Sequence, residues 1–220
     1  MKDNFETVKR KIKDKIQTYK AEKFIIKYEA ELRAKLNNDN FTILESNCAA
    51  GIIYNRLGKQ FLSPTINMWF KQGDFIKFCL NIKHYVETEL EFIDTDEYDF
   101  PVAKLDDIYL FFNHSNSEEE AANNWNRRKN RINYDNLYIL MYNRGNLPKS
   151  EYLKLNSVKC KNKVVFTADP NFDLKFAYYI KPNLNKINGE SYLDRDELTL
   201  TTLEKEFDFV SWLNCEQIMK

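Results

Sequence analysis

Cys48 sits in the run Glu45-Ser46-Asn47-Cys48-Ala49-Ala50-Gly51, where the apolar stretch Phe41-Thr42-Ile43-Leu44 gives way to a helical pattern. A thiol at the start of a helix feels the positive end of the helix dipole, which favours the thiolate. The unpaired N–H groups there also suit a developing oxyanion. Cys48 is therefore a candidate nucleophile or transient acyl carrier, with Asn47 and Ala49 as candidate oxyanion and substrate contacts. A small buried cysteine beside a tight turn is the competing structural reading. His114, in Phe112-Asn113-His114-Ser115, directly follows the apolar run Ile108-Tyr109-Leu110-Phe111-Phe112 and is one of 2 histidines in the chain. It suits a general base, and Asn113 beside it is a further substrate-binding candidate; a histidine bonded to backbone is the alternative. His84, in Lys83-His84-Tyr85, reads as an exposed or capping residue.

Trp125-Asn126-Arg127-Arg128-Lys129-Asn130-Arg131 sets Arg127, Arg128 and Arg131 at the end of a helical pattern. There they could hold the phosphates of a donor such as coenzyme A or a nucleotide sugar. Cations at a helix C-terminus also suit its dipole with no ligand at all. Asp94-Thr95-Asp96 matches the triplet with which many glycosyltransferases hold a divalent cation and a nucleotide diphosphate. In a chain with 33 acidic residues that match is cheap. The segment reads as an acidic surface loop, and no metal is expected. GxGxxG, GxxxxGK[ST], HExxH and GxSxG are all absent from the sequence, which argues against nicotinamide-type Rossmann, P-loop, zincin and α/β-hydrolase chemistry.

The elements that must position these residues alternate between short apolar runs and helical segments. Strands are expected over 41–44, 107–112, 136–142 and 163–167, with shorter ones within 64–70 and over 89–93. Helices are expected over 49–57, closed by Gly58, over 74–86, and from the Ser117/Glu120 capping signal to about Arg131, with a short one over 150–155. Residues 207–213 suit either type. Continuous apolar strands between helices predict an α/β fold of three layers, a mainly parallel sheet with helices on both faces. Ligands in such sheets bind beyond the carboxyl ends of the strands, where Cys48 and His114 fall. The two are expected to face one cleft.

Residues 1–40 form a separate helical arm before the domain at 41–220. They hold 11 Lys/Arg against 7 Asp/Glu, and Phe5, Val8, Ile12, Ile16 and Tyr19 make an amphipathic stripe. Ile25, Tyr28, Leu32 and Leu36 make a second. The arm either packs on the domain or rests residues 1–20 on anionic lipid or a partner. For the whole chain Lys+Arg and Asp+Glu are both 33, so a nucleic-acid partner is not expected. Gly and Pro number 5 each, which argues against disorder and low complexity. No apolar run nears the roughly 18 residues that span a bilayer, and the N-terminus shows no secretory signal. The expected place is the cytoplasm, with the four scattered cysteines (Cys48, Cys79, Cys160 and Cys215) reduced.

FTILESNCAAGIIYNRLG, FLSPTINMWF, DFIKFCLNIKHYV, FPVAKLDDIYLFFNHS, EEAANNWNRRKNRINYDNLYILM, KNKVVFTA and FDFVSWLN follow one another in an order that resembles the exopolysaccharide-biosynthesis proteins of domain-of-unknown-function family nineteen-nineteen. The resemblance runs from about residue 41 to 214 and departs from the family pattern at Ala49-Ala50, where a bulky aromatic and a glycine are usual. It implies a role in bacterial capsule or exopolysaccharide biosynthesis, with a polysaccharide or sugar precursor as partner; the basic arm adds the expectation of a place at the inner face of the membrane. The Asn-Cys turn resembles, more loosely, that of capsule proteins handling coenzyme A thioesters. The favoured expectation is acyl (acetyl) transfer from acetyl-CoA to a sugar hydroxyl, with His114 as base and the arginines on donor phosphates. The alternatives are a nucleotide-sugar glycosyltransferase and a non-catalytic assembly protein of the same pathway.

Overall fold

The computed structural model describes residues 2–145, 147–181 and 200–217. Along the chain run α1 (Lys2–Lys35), β1 (Thr42–Glu45), α2 (Ala49–Leu57), β2 (Trp69–Phe70), α3 (Gln72–Leu80), α4 (Ile82–Glu87), β3 (Glu91–Ile93), β4 (Val102–Leu105) and β5 (Ile108–Phe111). They are followed by α5 (Glu118–Lys129), β6 (Leu137–Tyr142), α6 (Lys149–Leu153), β7 (Asn162–Thr167), β8 (Ala177–Tyr179), α7 (Thr202–Glu206) and α8 (Phe209–Leu213).

Strands β1, β6, β7 and β8 pair in that order, all parallel. Every residue of β6 is buried, because both faces of a parallel sheet are covered. Leu137, Ile139 and Met141 join a core with α3, α4, α5 and α6. Tyr138, Leu140 and Tyr142 join a second with α2, α7 and α8. This is the expected α/β arrangement with helices on both faces.

The apolar run at 107–112 does not belong to that sheet. It forms β5 of an antiparallel sheet of order β2-β5-β4-β3. Leu105 pairs with Ile108, so Asp106-Asp107 closes a two-residue hairpin. Asp106, at the first turn position, takes a left-handed φ of 57°, a conformation common in tight hairpin turns. Lys77 and Tyr85 each donate to the Asp107 carboxylate at 2.7 Å. Ala103, Leu105, Ile108 and Leu110 face the same core as Ile139 and Met141. The helix expected over 74–86 is two helices, broken at Asn81 (φ −138°, ψ 49°).

A single helix, α1, spans the arm as far as Lys35. Residues 10–20 are exposed on every side, Ile12, Ile16 and Tyr19 included. Phe5 and Val8 of the expected stripe lie outside the described side chains. Leu32 and Leu36 pack beside α2, and Arg33 Nε donates to the Arg56 carbonyl at 3.0 Å. Arg56 also lies 3.2 Å from Glu29 and 2.6 Å from Glu204. Among the described side chains, the arm docks on the domain through its C-terminal part and not through residues 10–20.

Candidate functional site

Beyond β1 one residue bridges the two sheets by backbone hydrogen bonds. Ser46 N donates to the Leu140 carbonyl at 3.2 Å, and its own carbonyl accepts from Phe70 N at 3.3 Å. Phe70 belongs to β2, which pairs with β5 through Trp69–Phe111 and Phe70–Leu110. The end of β1 and the end of β5 are thereby brought side by side. Cys48 occupies the N-cap position of α2, and Ser115 N donates to the Phe112 carbonyl at 2.9 Å in the turn that carries His114. Cys48 Sγ lies 3.4 Å from His114 Nε2. The thiol is half-buried and the imidazole exposed, so the pair is open to a ligand from solvent. Asn47 (half-buried) and Asn113 (exposed) flank the pair in sequence.

Glu45 had no role in the sequence reading, yet it organises this turn. It is fully buried, and its carboxyl meets the N–H groups of Ala49, Ala50 and Gly51 at the head of α2. Desolvation pushes its pKa well above the usual carboxylate range, against the pull of those three N–H groups. The oxyanion role expected of the Ala49 N–H is corrected by this contact: the head of the helix already serves an internal acid. Asn47 and Asn113 remain as polar sequence neighbours of the pair. The signal that could have revealed Glu45 is an acidic residue closing an otherwise apolar strand.

Beside the pair opens a pocket of about 270 Å³, lined by His114, Ser115, Asn67, Glu120, Asn124, Trp125 and Arg128 among others. Ser117 caps α5 through the Glu120 N–H at 3.1 Å, and α5 supplies the pocket with four of these side chains. Asn67 enters with a left-handed φ of 61°. A Cβ on Gly51 would meet its Oδ1 at 3.0 Å, so glycine lets α2 approach this loop without displacing that side chain. Arg128 is 8% exposed; it donates to the Ile66 carbonyl at 2.8 Å and lies over the Phe61 ring at 5.4 Å. Burial, with Arg127 and Arg131 nearby, lowers its pKa from the usual guanidinium value.

The three arginines do not converge. Arg127 is exposed and bonds Asn124 at 2.6 Å, while Arg131 reaches the Phe61 carbonyl at 3.5 Å. Successive residues on a helix lie about 100° apart, so Arg128 turns inward while Arg127 stays outside. A shared phosphate site for all three is therefore corrected to a pocket position for Arg128 alone.

The other candidates lie elsewhere. His84 Nε2 is 2.7 Å from Asp106. Asp94-Thr95-Asp96 is a loop with both carboxylates exposed, and among the described residues no group of three or more His, Cys, Asp and Glu could hold a metal ion. Cys79 is buried and its thiol pKa is pushed well up by desolvation; burial raises that of half-buried Cys160 too. A larger cavity of about 580 Å³ at the amino ends of β7 and β8, near Lys161, Lys163 and Lys175, touches neither Cys48 nor His114. No helix among the described residues is long and apolar enough to cross a membrane.

Residues 19–214 match the family described as Domain of unknown function (DUF1919). The chain is also similar to a Haemophilus influenzae protein described as uncharacterized, 32% identical over 216 residues, covering 93% of this chain and 97% of that protein.

Proposed function

We propose that this chain, which belongs to the DUF1919 family, is a cysteine–histidine acyltransferase. The observation that carries the reading is the 3.4 Å approach of Cys48 Sγ to His114 Nε2, beyond the carboxyl end of β1 and at the mouth of a polar pocket. A base in contact with a thiol generates the nucleophile that acyl transfer requires. His114 takes the Cys48 proton as the thiolate adds to a thioester carbonyl, with acetyl-CoA as the donor. Collapse expels the coenzyme A thiolate, which leaves with that proton. The acceptor hydroxyl then gives its proton to His114 and adds to the acyl-Cys48 carbonyl. The Cys48 thiolate departs and recovers the proton. Asn47 and Asn113 supply donors for the tetrahedral oxyanion. The acceptor we assign is a sugar hydroxyl of a polysaccharide or its precursor, on the sequence resemblance described above.

Incubation with acetyl-CoA followed by intact-mass and peptide analysis tests this directly. Wild-type protein should gain one acetyl group on Cys48, and His114→Ala should slow that gain by on the order of a hundredfold. No label on Cys48, with thermal protection by nucleotide sugars instead, would overturn acyl transfer in favour of glycosyl transfer. Protection by neither donor would indicate an assembly protein.

We also propose that the arm holds the enzyme at the cytoplasmic face of the membrane. The support is the exposure of Ile12, Ile16 and Tyr19 beside Lys11, Lys13 and Lys15. Each Lys or Arg near an anionic leaflet contributes about 1 kcal/mol. Co-sedimentation with phosphatidylserine vesicles should fall when residues 1–20 are deleted; equal sedimentation of both forms refutes the contact.

A further inference from the structure

Arg128 is a buried cation that no carboxylate of the described residues meets at ion-pair distance, although Glu120 lines the same pocket. It is 8% exposed, and no ion pair joins it to a carboxylate among the described residues. One Nη donates to the Ile66 carbonyl, while Nε has no partner. Removing a guanidinium from water is costly unless an anion and further hydrogen bonds offset it. Trp125, 1% exposed, lines the same pocket, and its indole Nε1 is likewise unpartnered. Both nitrogens are sealed from solvent, so a ligand would meet the rest of the Arg128 guanidinium, which lines the pocket and suits an oxygen-rich anion.

The rest of the lining narrows the class. Asn67, Asn124 and Ser115 offer amides and a hydroxyl, and Glu120, held by Asn116 N at 2.8 Å, offers an acceptor. Such a mixture of donors and acceptors matches sugar hydroxyls. At about 270 Å³ the pocket falls below the roughly 300–1,000 Å³ of sites for drug-sized ligands, so a whole coenzyme A or nucleotide sugar does not fit, while a single sugar ring does. His114 forms part of the wall and meets Cys48 at 3.4 Å, so a ring held here presents a hydroxyl to the reacting pair.

We infer that the pocket binds the acceptor as a single anionic sugar unit, its acid group on Arg128 and its hydroxyls on Asn67, Asn124 and Glu120. This rests on the acyltransfer reading for what happens next, but not for binding. The acid is either a ring carboxylate or a phosphate ester, and the test separates them.

Isothermal titration calorimetry without acyl donor, using glucuronate, glucose 1-phosphate, glucose and inorganic phosphate, decides the matter. At least one sugar acid should bind tenfold or more tightly than glucose and than inorganic phosphate. Tighter binding of glucuronate assigns a carboxylate, and of glucose 1-phosphate a phosphate. Arg128→Gln should lose that affinity by tenfold or more, and Arg127→Gln should keep it. Because Arg128 also anchors Ile66, Asn124→Ala serves as a second variant; it should weaken the sugar acids while leaving inorganic phosphate unchanged. Equal binding of glucose and the sugar acids, equal binding of inorganic phosphate, no binding at all, or full affinity in a folded Arg128→Gln each overturns the inference. Acetylation of Cys48 without sugar-acid binding sinks this inference alone. Sugar-acid binding without acetylation sinks the acyltransfer reading alone.

Discussion

Glu45→Gln should make the protein less sensitive to alkaline pH, and the size of the effect follows from burial. The carboxyl is fully buried, desolvation raises its pKa well above the usual value, and one of its oxygens has no hydrogen-bond partner. An acid whose folded-state pKa exceeds its unfolded one keeps its proton longer in the native state. Its contribution is fully present below the unfolded pKa of about 4.3 and is lost as pH rises toward the folded value. Above roughly pH 4.5 wild type should therefore lose about 1.4 kcal/mol per pH unit relative to the glutamine variant, for as long as the native carboxyl stays protonated. For a chain of this length that is roughly 3–6 °C of melting temperature per unit. The difference between two proteins cancels every other titrating group outside the substituted site's reach. Urea and thermal unfolding of both proteins at half-unit steps from pH 4.5 to 7.5 measures it, and the pH at which the gap stops widening reports the native pKa. A gap that is flat across the range would show that Glu45 ionises in the folded protein as it does in water.

Arg56→Met should cost about 3–5 kcal/mol, because it strands Glu204, whose side chain is fully buried; adding Glu204→Gln should recover part of that in urea titrations, and no recovery would locate the loss in packing instead. Phe166→Ala removes a fully buried ring that meets Phe207 at 4.8 Å and Tyr142 at 5.3 Å, and should cost about 3–5 kcal/mol by the same measurement; a cost under about 1 kcal/mol would mean that this core collapses around the gap. Deleting residues 2–20 should shift stability by less than about 0.5 kcal/mol, since residues 10–20 are exposed; a larger loss seen by calorimetry would place part of the arm on the domain.

Periodicity exposed the elements whose apolar content is dense. The run Leu137–Tyr142 is apolar throughout and became the buried centre of the parallel sheet. Gly58 marked the end of α2 because a left-handed residue there (φ 63°) needs no side chain. Ser117 likewise marked the start of α5. Strand direction was not legible, since an apolar run reads the same in either sheet; the hairpin that makes β5 antiparallel depends on Asp106-Asp107 and on β4, only four residues long. Within the site, Cys48 and His114 stood out because each directly follows a strand. Glu45 and Trp125 did not, because an acid inside a strand and an aromatic inside a helix acquire meaning only once burial denies them water. Nor could spacing alone tell Arg128 from Arg127, which are adjacent in sequence and on different sides of one helix.

Cys48 is suspended from the parallel sheet and His114 from the antiparallel one, with Ser46 and Phe70 bonded at the seam. The sulfur–nitrogen gap is therefore a gauge of how the two sheets are angled. A displacement of reacting groups by about 1 Å costs on the order of a hundredfold in rate, so under the proposed acyl transfer a tilt too slight to disturb either core would part the base from its thiol. Substitutions far away, in the layer of side chains shared by Ile139, Leu110 and Phe78, then tune the thiol without touching it. Its reactivity becomes a property of the joint between the sheets rather than of the few residues around it.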